Sequence, residues 1–364
     1  MDRLMKKEIT YRHGGTPRLD FLRFDLAERP VLDFSVNLNP LGPPEVIRDR
    51  WMEMIESIQD YPTLEGEGAI HYYCHKFGIS PENCMAGNGS TEIIYMVPRV
   101  LGIGRVLIVG PSYNNYFRAA TLAGSSVLRY PLLPEHPFSS IDHERIIEML
   151  KDTDALWLGN PNNPTGSLFP KECLMECAGK YPEKWIIIDE AFMPFVEERD
   201  EYSFAKVPIR KNVLVIHSIT KFYALAGLRL GGIIGHESVI SRLRRAKEPW
   251  TVNGIAEKIS PLLLECGEYE EETRSLITRE RVRLFRALES IAGISPYPSS
   301  GNFILCQWRL TDNLDDLLKY LLSEGIYIRD CRNFSGLEGN YFRLAVRLPE
   351  ENDQLISTLS AFPG

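Results

Sequence analysis

Ser218-Ile219-Thr220-Lys221, followed by Gly227-Leu228-Arg229-Leu230-Gly231, is the stretch on which the reading of this chain turns. The apolar run from Asn212 to His217 just before it has the character of a buried strand. A lysine at the end of such a strand, among small hydroxyl residues and glycine, is an unusual place for a positive charge. Desolvating an ammonium is costly, so the lysine either pairs with an anion or gives up its charge. Forming an imine with an aldehyde does the second. Ser218, Lys221 and Arg229 then compose a site for a phosphorylated aldehyde, with hydroxyl and guanidinium on the phosphate and the amine on the carbonyl. On its own the segment also reads as a solvated loop lysine, and the choice passes to the rest of the chain.

Two further segments narrow that choice. Asn160-Pro161-Asn162-Asn163-Pro164-Thr165-Gly166 follows the apolar Ala155-Leu156-Trp157-Leu158 and reads as a strand opening into a tight turn. Trp185-Ile186-Ile187-Ile188-Asp189-Glu190-Ala191-Phe192 is a continuous apolar run ending in two carboxylates, as in a parallel strand buried on both faces. A carboxylate there needs a cationic partner, which a protonated pyridine nitrogen would supply. With Asn163, Asp189 and Lys221 each following a strand and Arg229 after them, the chain resembles the fold-type I pyridoxal-phosphate enzymes of the aminotransferase superfamily. The resemblance implies an α/β fold: a large domain on a mostly parallel, seven-stranded-type sheet, plus a smaller α+β domain. It also implies pyridoxal 5'-phosphate as cofactor.

The chain as a whole sets limits on other readings. Its 364 residues exceed the ~250–300 at which one core usually divides, so two domains are expected. Hydrophobic content of 44% and charged content of 25% are those of an ordinary globular protein. No run of about 18 apolar residues argues for a membrane span, and residues 1–8 lack the apolar centre of a secretory signal. A net charge of -8 disfavours nucleic acid, whose binding needs a basic face. The 7 cysteines are scattered and odd in number, which suits reduced thiols in a cytoplasm. Cys173 and Cys177 lie four apart on an expected helix with no second pair near them in sequence, so no metal site is expected. The acidic run 268–272 reads as a solvated helix start, where carboxylates complement the helix dipole.

Strand-like runs at 105–109, 155–158, 185–188, 213–216 and 232–234 alternate with helix-like stretches at 92–100, 116–123, 143–150 and 171–180. That alternation predicts a mostly parallel sheet covered on both faces, with ligands at the carboxyl ends of the strands. Pro249-Trp250-Thr251-Val252-Asn253 marks a break. Beyond it come helical patterns at 254–265 and 269–291 and strands near 302–307, 327–330 and 341–346. The expected division is an N-terminal arm (1–35) belonging to the small domain, a large cofactor-binding domain (36–253) and a small C-terminal domain (254–364).

Gly87-Asn88-Gly89-Ser90-Thr91-Glu92 opens a helical segment and reads in two ways. Either its glycines and helix start form an anion cup, or Ser90 or Thr91 is an ordinary N-cap. The superfamily resemblance assigns this loop (Gly89, Ser90, Thr91) to the cofactor phosphate, together with Ser218 and Arg229. It makes Lys221 the catalytic Schiff-base lysine, Asp189 the partner of the pyridine nitrogen, Asn163 the partner of the ring hydroxyl, and Tyr113 the ring stacked on the pyridine. Where many relatives have tyrosine three residues after that aspartate, this chain has Phe192, which cannot bond the ring hydroxyl.

Within the superfamily, further motifs are similar to the threonine-phosphate decarboxylases of cobalamin biosynthesis. They are His13-Gly14-Gly15, Asp33-Phe34-Ser35-Val36-Asn37-Leu38-Asn39-Pro40-Leu41-Gly42, Tyr61-Pro62, Pro249-Trp250-Thr251-Val252-Asn253, Ile328-Arg329-Asp330-Cys331-Arg332-Asn333-Phe334-Ser335-Gly336-Leu337 and Tyr341-Phe342-Arg343-Leu344-Ala345-Val346-Arg347. The sister histidinol-phosphate aminotransferases share the core motifs but usually lack the His-Gly-Gly start. The resemblance implies decarboxylation of an O-phospho-L-amino acid: L-threonine O-3-phosphate to (R)-1-amino-2-propanol O-2-phosphate and CO2. Serine phosphate decarboxylation and histidinol-phosphate transamination stand as alternatives. It gives Arg343 the substrate carboxylate, Arg329 with His13 the substrate phosphate, and Gly14, Asn39 and Asn163 further substrate contacts. Tyr61 reaches a neighbouring subunit's cofactor phosphate, which implies a homodimer. On the strand 341–346, Arg343 alternates with Phe342 and Leu344 and so points away from their side.

Overall fold

A computed structural model describes residues 13–136, 138, 141–206 and 210–363. The opening residues 1–12, including the start read above as lacking a leader, lie outside the described residues.

The central sheet has seven strands: β2 (Cys84–Asn88), β3 (Arg105–Gly110), β4 (Ser126–Pro131), β5 (Ala155–Gly159), β6 (Trp185–Asp189), β7 (Val213–Ser218) and β8 (Leu230–Ile234). Their order is β2-β8-β7-β6-β5-β3-β4. β8 runs antiparallel to both its neighbours, and the strands from β7 to β4 are all parallel. β5 and β7 are buried at every position, as their unbroken apolar character requires when helices cover both faces.

Strand alternation divides the core in two. Leu156, Leu158, Ile186, Ile188, Val213 and Val215 pack on one face. Ala155, Trp157, Ile187, Leu214 and Ile216 pack on the other, beneath the helices Gly89–Leu101, Asn114–Leu122 and Glu237–Ala246. By the same period of two, Asp189 and Ser218 project on the side of Ile187 and Ile216.

Two of the seven strands, β2 and β4, carry no strand signal in the sequence. β2, Cys-Met-Ala-Gly-Asn, has no β-branched or aromatic residue. β4 is an edge strand whose residues are mostly half-buried or exposed, so neither shows an apolar run.

A second sheet, antiparallel, has the order β12-β13-β10-β9, formed by β9 (Ile294–Pro296), β10 (Phe303–Trp308), β12 (Arg329–Asp330) and β13 (Tyr341–Ala345). The strand expected over 327–330 is divided: β11 (Ile326–Tyr327) instead pairs in parallel with β1 (Leu32–Asp33). Phe34 links the two sets, its N–H donating to Tyr327 O and its carbonyl accepting from Ala345 N–H, both at 2.8 Å. This places 34–38 beside β13. The long helix Gly267–Glu289 departs from the sequence reading at Glu270, which is buried and accepts a bond from Tyr223 OH at 2.6 Å instead of facing water. Among the described residues, no helix is long and apolar enough to cross a membrane.

Candidate active site

The carboxyl ends of β5, β6 and β7 open on a cavity of about 330 Å³. The sheet register explains why its residues meet. Gly87 pairs with Gly231, and Gly231 with Ser218. Because β8 is reversed, its beginning lies at the edge where its neighbours end. Residues 88–91, 218–221 and Arg229 are thus gathered from three adjacent strands.

At the amine, Lys221 Nζ donates to Ser218 Oγ at 2.9 Å, and Ser218 Oγ lies 2.9 Å from Thr220 Oγ1. Burial pushes the Lys221 pKa down to about 8, with nearby Arg229 adding to the effect and Asp189 opposing it. Asp189 is buried, accepting from Tyr116 OH at 2.8 Å and from Ala191 N–H at 2.9 Å. Burial raises its pKa, against the Tyr116 bond and the Lys221 charge. Both hydrogen bonds come from neutral donors, which leaves the carboxylate suited to a cationic N–H in the cavity. Tyr116 is held by stacking on Trp157, with centroids 5.0 Å apart, and Tyr113 stands edge-on to it at 5.7 Å.

The anion cup lies opposite. The helix Gly89–Leu101 starts at Gly89, with Asn88 at the N-cap, so Ser90 and Thr91 are inside the first turn rather than capping it. Neither hydroxyl caps the helix, and both line the cavity. Gly89 has φ +73°, and a Cβ there would stand 2.5 Å from Arg229 Nη2. A Cβ on Gly231 would stand 2.4 Å from the Ser90 nitrogen. Only glycine lets the guanidinium and the helix start approach this closely. First-turn N–H groups, the two hydroxyls and Arg229 make a donor set for a dianion.

On the third side, Arg343 donates to Asn163 Oδ1 and, at 2.9 Å, to Ser35 O. It is only 5% exposed, and its Nε has no hydrogen-bond partner among the described residues. Burial lowers its pKa to about 10. No carboxylate pairs with it among the described residues.

His13 and Gly14 form part of the same wall. A Cβ at Gly14 would meet Ser35 O at 2.3 Å, so the backbone contact itself requires glycine. The His13 pKa is lowered by burial first, then by the charges of Arg329, Arg118 and Arg343.

Three residues named from the sequence stand elsewhere. Asn39 is buried away from the cavity; its N–H donates to Lys221 O at 3.1 Å and its Nδ2 to Phe222 O and Thr273 Oγ1. Its amide is committed to holding the Lys221 segment, and Asn37 lines the cavity instead, with a buried, unpartnered Oδ1. Arg329 lies one layer back, in register with Arg343, donating to Asn333 Oδ1 at 2.8 Å and to Asp330 O. Tyr61 is 84% exposed outside the cavity, its ring 5.2 Å from that of Trp250.

The sequence reading missed Tyr116, Asn37 and Ser35, which line or support the cavity. Tyr116 alone left a signal, one helical turn beyond Tyr113 and on its inner side.

The residues present fit pyridoxal phosphate: a hydroxyl–amide–guanidinium cup for phosphate, a low-pKa amine for an aldehyde, and a buried carboxylate for a pyridinium. This sheet, with one reversed strand and these groups at its strand ends, is the architecture of a fold-type I pyridoxal-phosphate enzyme. The aminotransferase class I and II family model matches residues 29–359, and the chain belongs to that family. A threonine-phosphate decarboxylase of Salmonella typhimurium is 31% identical over 354 residues, covering 95% of this chain and 95% of that protein. The crystal structure of the histidinol-phosphate aminotransferase from Clostridium acetobutylicum superposes with TM-score 0.84 at 31% identity, over 90% of this chain and 98% of that one. A decarboxylase from Sulfurospirillum multivorans superposes with TM-score 0.86 at 26% identity, over 96% and 93% of the two chains.

Proposed function

We propose that this protein decarboxylates an O-phospho-L-amino acid, with L-threonine O-3-phosphate as substrate and (R)-1-amino-2-propanol O-2-phosphate and CO2 as products, in cobalamin biosynthesis. The observation that carries the reading is Arg343, a buried guanidinium with no carboxylate partner among the described residues and an orphaned Nε. The charges of Arg329 and Arg118 also act on His13, which lines the same cavity. A substrate bearing carboxylate and phosphate together would place its carboxylate on Arg343 and its phosphate toward those charges. Similarity to a threonine-phosphate decarboxylase over nearly the whole chain supports the same choice.

Pyridoxal phosphate, when bound, supplies the electron sink for the bond broken at Cα. Ser90, Thr91, Ser218 and Arg229 would hold its phosphate, Asp189 its ring nitrogen, Asn163 Nδ2 its ring hydroxyl, and Tyr113 its ring face. Arg343 orients the substrate carboxylate so that the Cα–carboxylate bond is the one broken. Lys221 Nζ, whose lowered pKa of about 8 lets it carry and give up a proton near neutral pH, would return a proton to Cα after CO2 leaves. Asn37 and the backbone of 35–38 close the substrate side. Asn39 serves by positioning Lys221.

We take the acting species to be a cytoplasmic homodimer. Met52, Ile58, Tyr61 and Leu64 are each at least 60% exposed, with Trp51 and Trp250 also exposed, an apolar surface that a second copy would cover. The seven cysteines are free thiols, in keeping with a reducing compartment. The test is CO2 release from threonine phosphate, serine phosphate and histidinol phosphate side by side. Release from threonine phosphate at the highest kcat/KM is expected. Transamination of histidinol phosphate without CO2 release from either phospho amino acid would replace this reading with the aminotransferase one.

A further inference from the structure

Cys173 and Cys177 sit one turn apart on the buried face of the helix Lys171–Lys180. Read along the chain, the pair has no neighbouring ligands. The fold supplies one: His143, the first residue of the helix His143–Leu150. The two sulfurs and a ring nitrogen of His143 all lie within 4.8 Å of one another.

One ring nitrogen of His143, Nε2, also meets a carboxylate of the same helix as the thiols. His143 Nε2 is buried and has no hydrogen-bond partner among the described residues. It approaches Glu176 Oε2 at 3.2 Å, without the alignment of a hydrogen bond. The thiols interact with each other: the Cys177 contact lowers the pKa of Cys173, and Cys177 is pushed up by the same contact and by burial. Two buried thiols ordinarily pack as small apolar groups. Packing alone does not require a ring nitrogen within 4.8 Å of both sulfurs with a carboxylate 3.2 Å from the same ring, which together gather four metal-binding side chains.

We propose that His143, Cys173 and Cys177 form a binding site for a zinc-class divalent cation, with Glu176 or water as the fourth ligand. Two thiolates and an imidazole are the donor set that such a cation selects, in tetrahedral geometry. Metal–sulfur bonds of about 2.3 Å and metal–nitrogen bonds of about 2.0 Å need ligand atoms somewhat under 4 Å apart, so small side-chain rotations close the cluster. Binding releases one proton from each thiol and leaves a core of zero net charge before Glu176 is counted. None of the four residues lines the active-site cavity. The cation therefore staples two helices on one face of the sheet and takes no part in the chemistry.

The experiment uses the holoenzyme, stripped with chelator and titrated with cobalt(II). About one ion per chain is expected, with the intense near-ultraviolet thiolate-to-cobalt band of a tetrahedral site, displaced by zinc. Cys173→Ser with Cys177→Ser abolishes the band. His143→Gln, at a half-exposed position that should not hinder folding, weakens affinity on the order of tenfold or more. Cys74→Ser, at a half-buried thiol outside the cluster, leaves the band intact. Zinc raises the melting temperature of the wild type but not of the double variant, and decarboxylation is unchanged throughout. A wild-type protein with no charge-transfer band overturns the proposal. So does a band that survives both Cys173→Ser with Cys177→Ser and His143→Gln.

Discussion

Lys221 is chemically useful because the fold makes its charged form costly. Its folded pKa of about 8 lies below the ordinary lysine value of 10.5, so between those values the unfolded chain holds a proton that the folded apo-protein has given up. Stability of the apo-protein therefore rises with pH across that window, by about 1.4 kcal/mol per unit from this one group. Lys221→Met removes the effect. The variant should be more stable than wild-type apo-protein at pH 7, by up to about 3 kcal/mol, with the gap closing as pH rises through 8 toward 10.5. Denaturant unfolding at several pH values reads this directly, and a pH-independent gap would refute it. Lys221→Ala should also lose the borohydride-reducible cofactor bond and all multiple turnover. Asp189→Asn keeps the cofactor but loses the charged partner of the ring nitrogen; a rate loss on the order of a hundredfold is expected in single-turnover assays. Arg329→Ala should weaken threonine phosphate on the order of a hundredfold while sparing free threonine. Arg343→Ala should weaken both and divert residual chemistry toward transamination, seen as pyridoxamine phosphate. Equal losses for both ligands in the Arg329 variant would leave its phosphate role without support.

The element that assembles the anion cup is the reversed strand β8. Its antiparallel direction puts Arg229 at the same sheet edge as Ser218 and the start of the helix Gly89–Leu101. The close approach depends on Gly231, where a Cβ would press on the Ser90 nitrogen at 2.4 Å. Gly231→Ala should displace the helix start, lower affinity for pyridoxal phosphate and cost about 1–3 kcal/mol in stability, as overpacking does. Cofactor titration and thermal melting measure the two effects separately. A stability loss with cofactor affinity unchanged would mean that the helix start does not hold the phosphate. The second sheet contributes by register: β12 and β13 align Arg329 with Arg343, stacking two cations that the chain keeps fourteen positions apart.

At the scale of the whole molecule, Trp51, Met52, Ile58, Tyr61 and Trp250 are exposed apolar residues that one chain leaves uncovered. Sedimentation should therefore find a dimer at micromolar concentration. If Tyr61 completes the partner's cofactor site, Tyr61→Phe should weaken pyridoxal phosphate binding although the residue lies outside its own chain's cavity. Mixed dimers of Tyr61→Phe and Lys221→Ala chains would then place both defects in one site and leave the other intact, recovering activity relative to either parent. No recovery on mixing would separate the two residues' sites.

Much of the cofactor side was legible in the chain because it has a local signature. Buried parallel strands are unbroken apolar runs, and an amine or carboxylate just past one is a local anomaly, as Lys221 and Asp189 are; Asn163 sits in the turn that follows another such run. The period of two along 341–346 likewise placed Arg343 opposite Phe342 and Leu344. Strands β2 and β4 have no such signature, and only pairing with β8 and β3 makes them strands. The commitment of Asn39 to Phe222 and Thr273, and the place of Asn37 in the cavity, depend on elements distant in sequence. The same holds for His143 against Cys173 and Cys177. A residue's type and its neighbours in the chain determine which bonds it is able to make. Which of them it makes is decided by the groups that tertiary packing brings within reach, and those groups leave no mark on the local sequence.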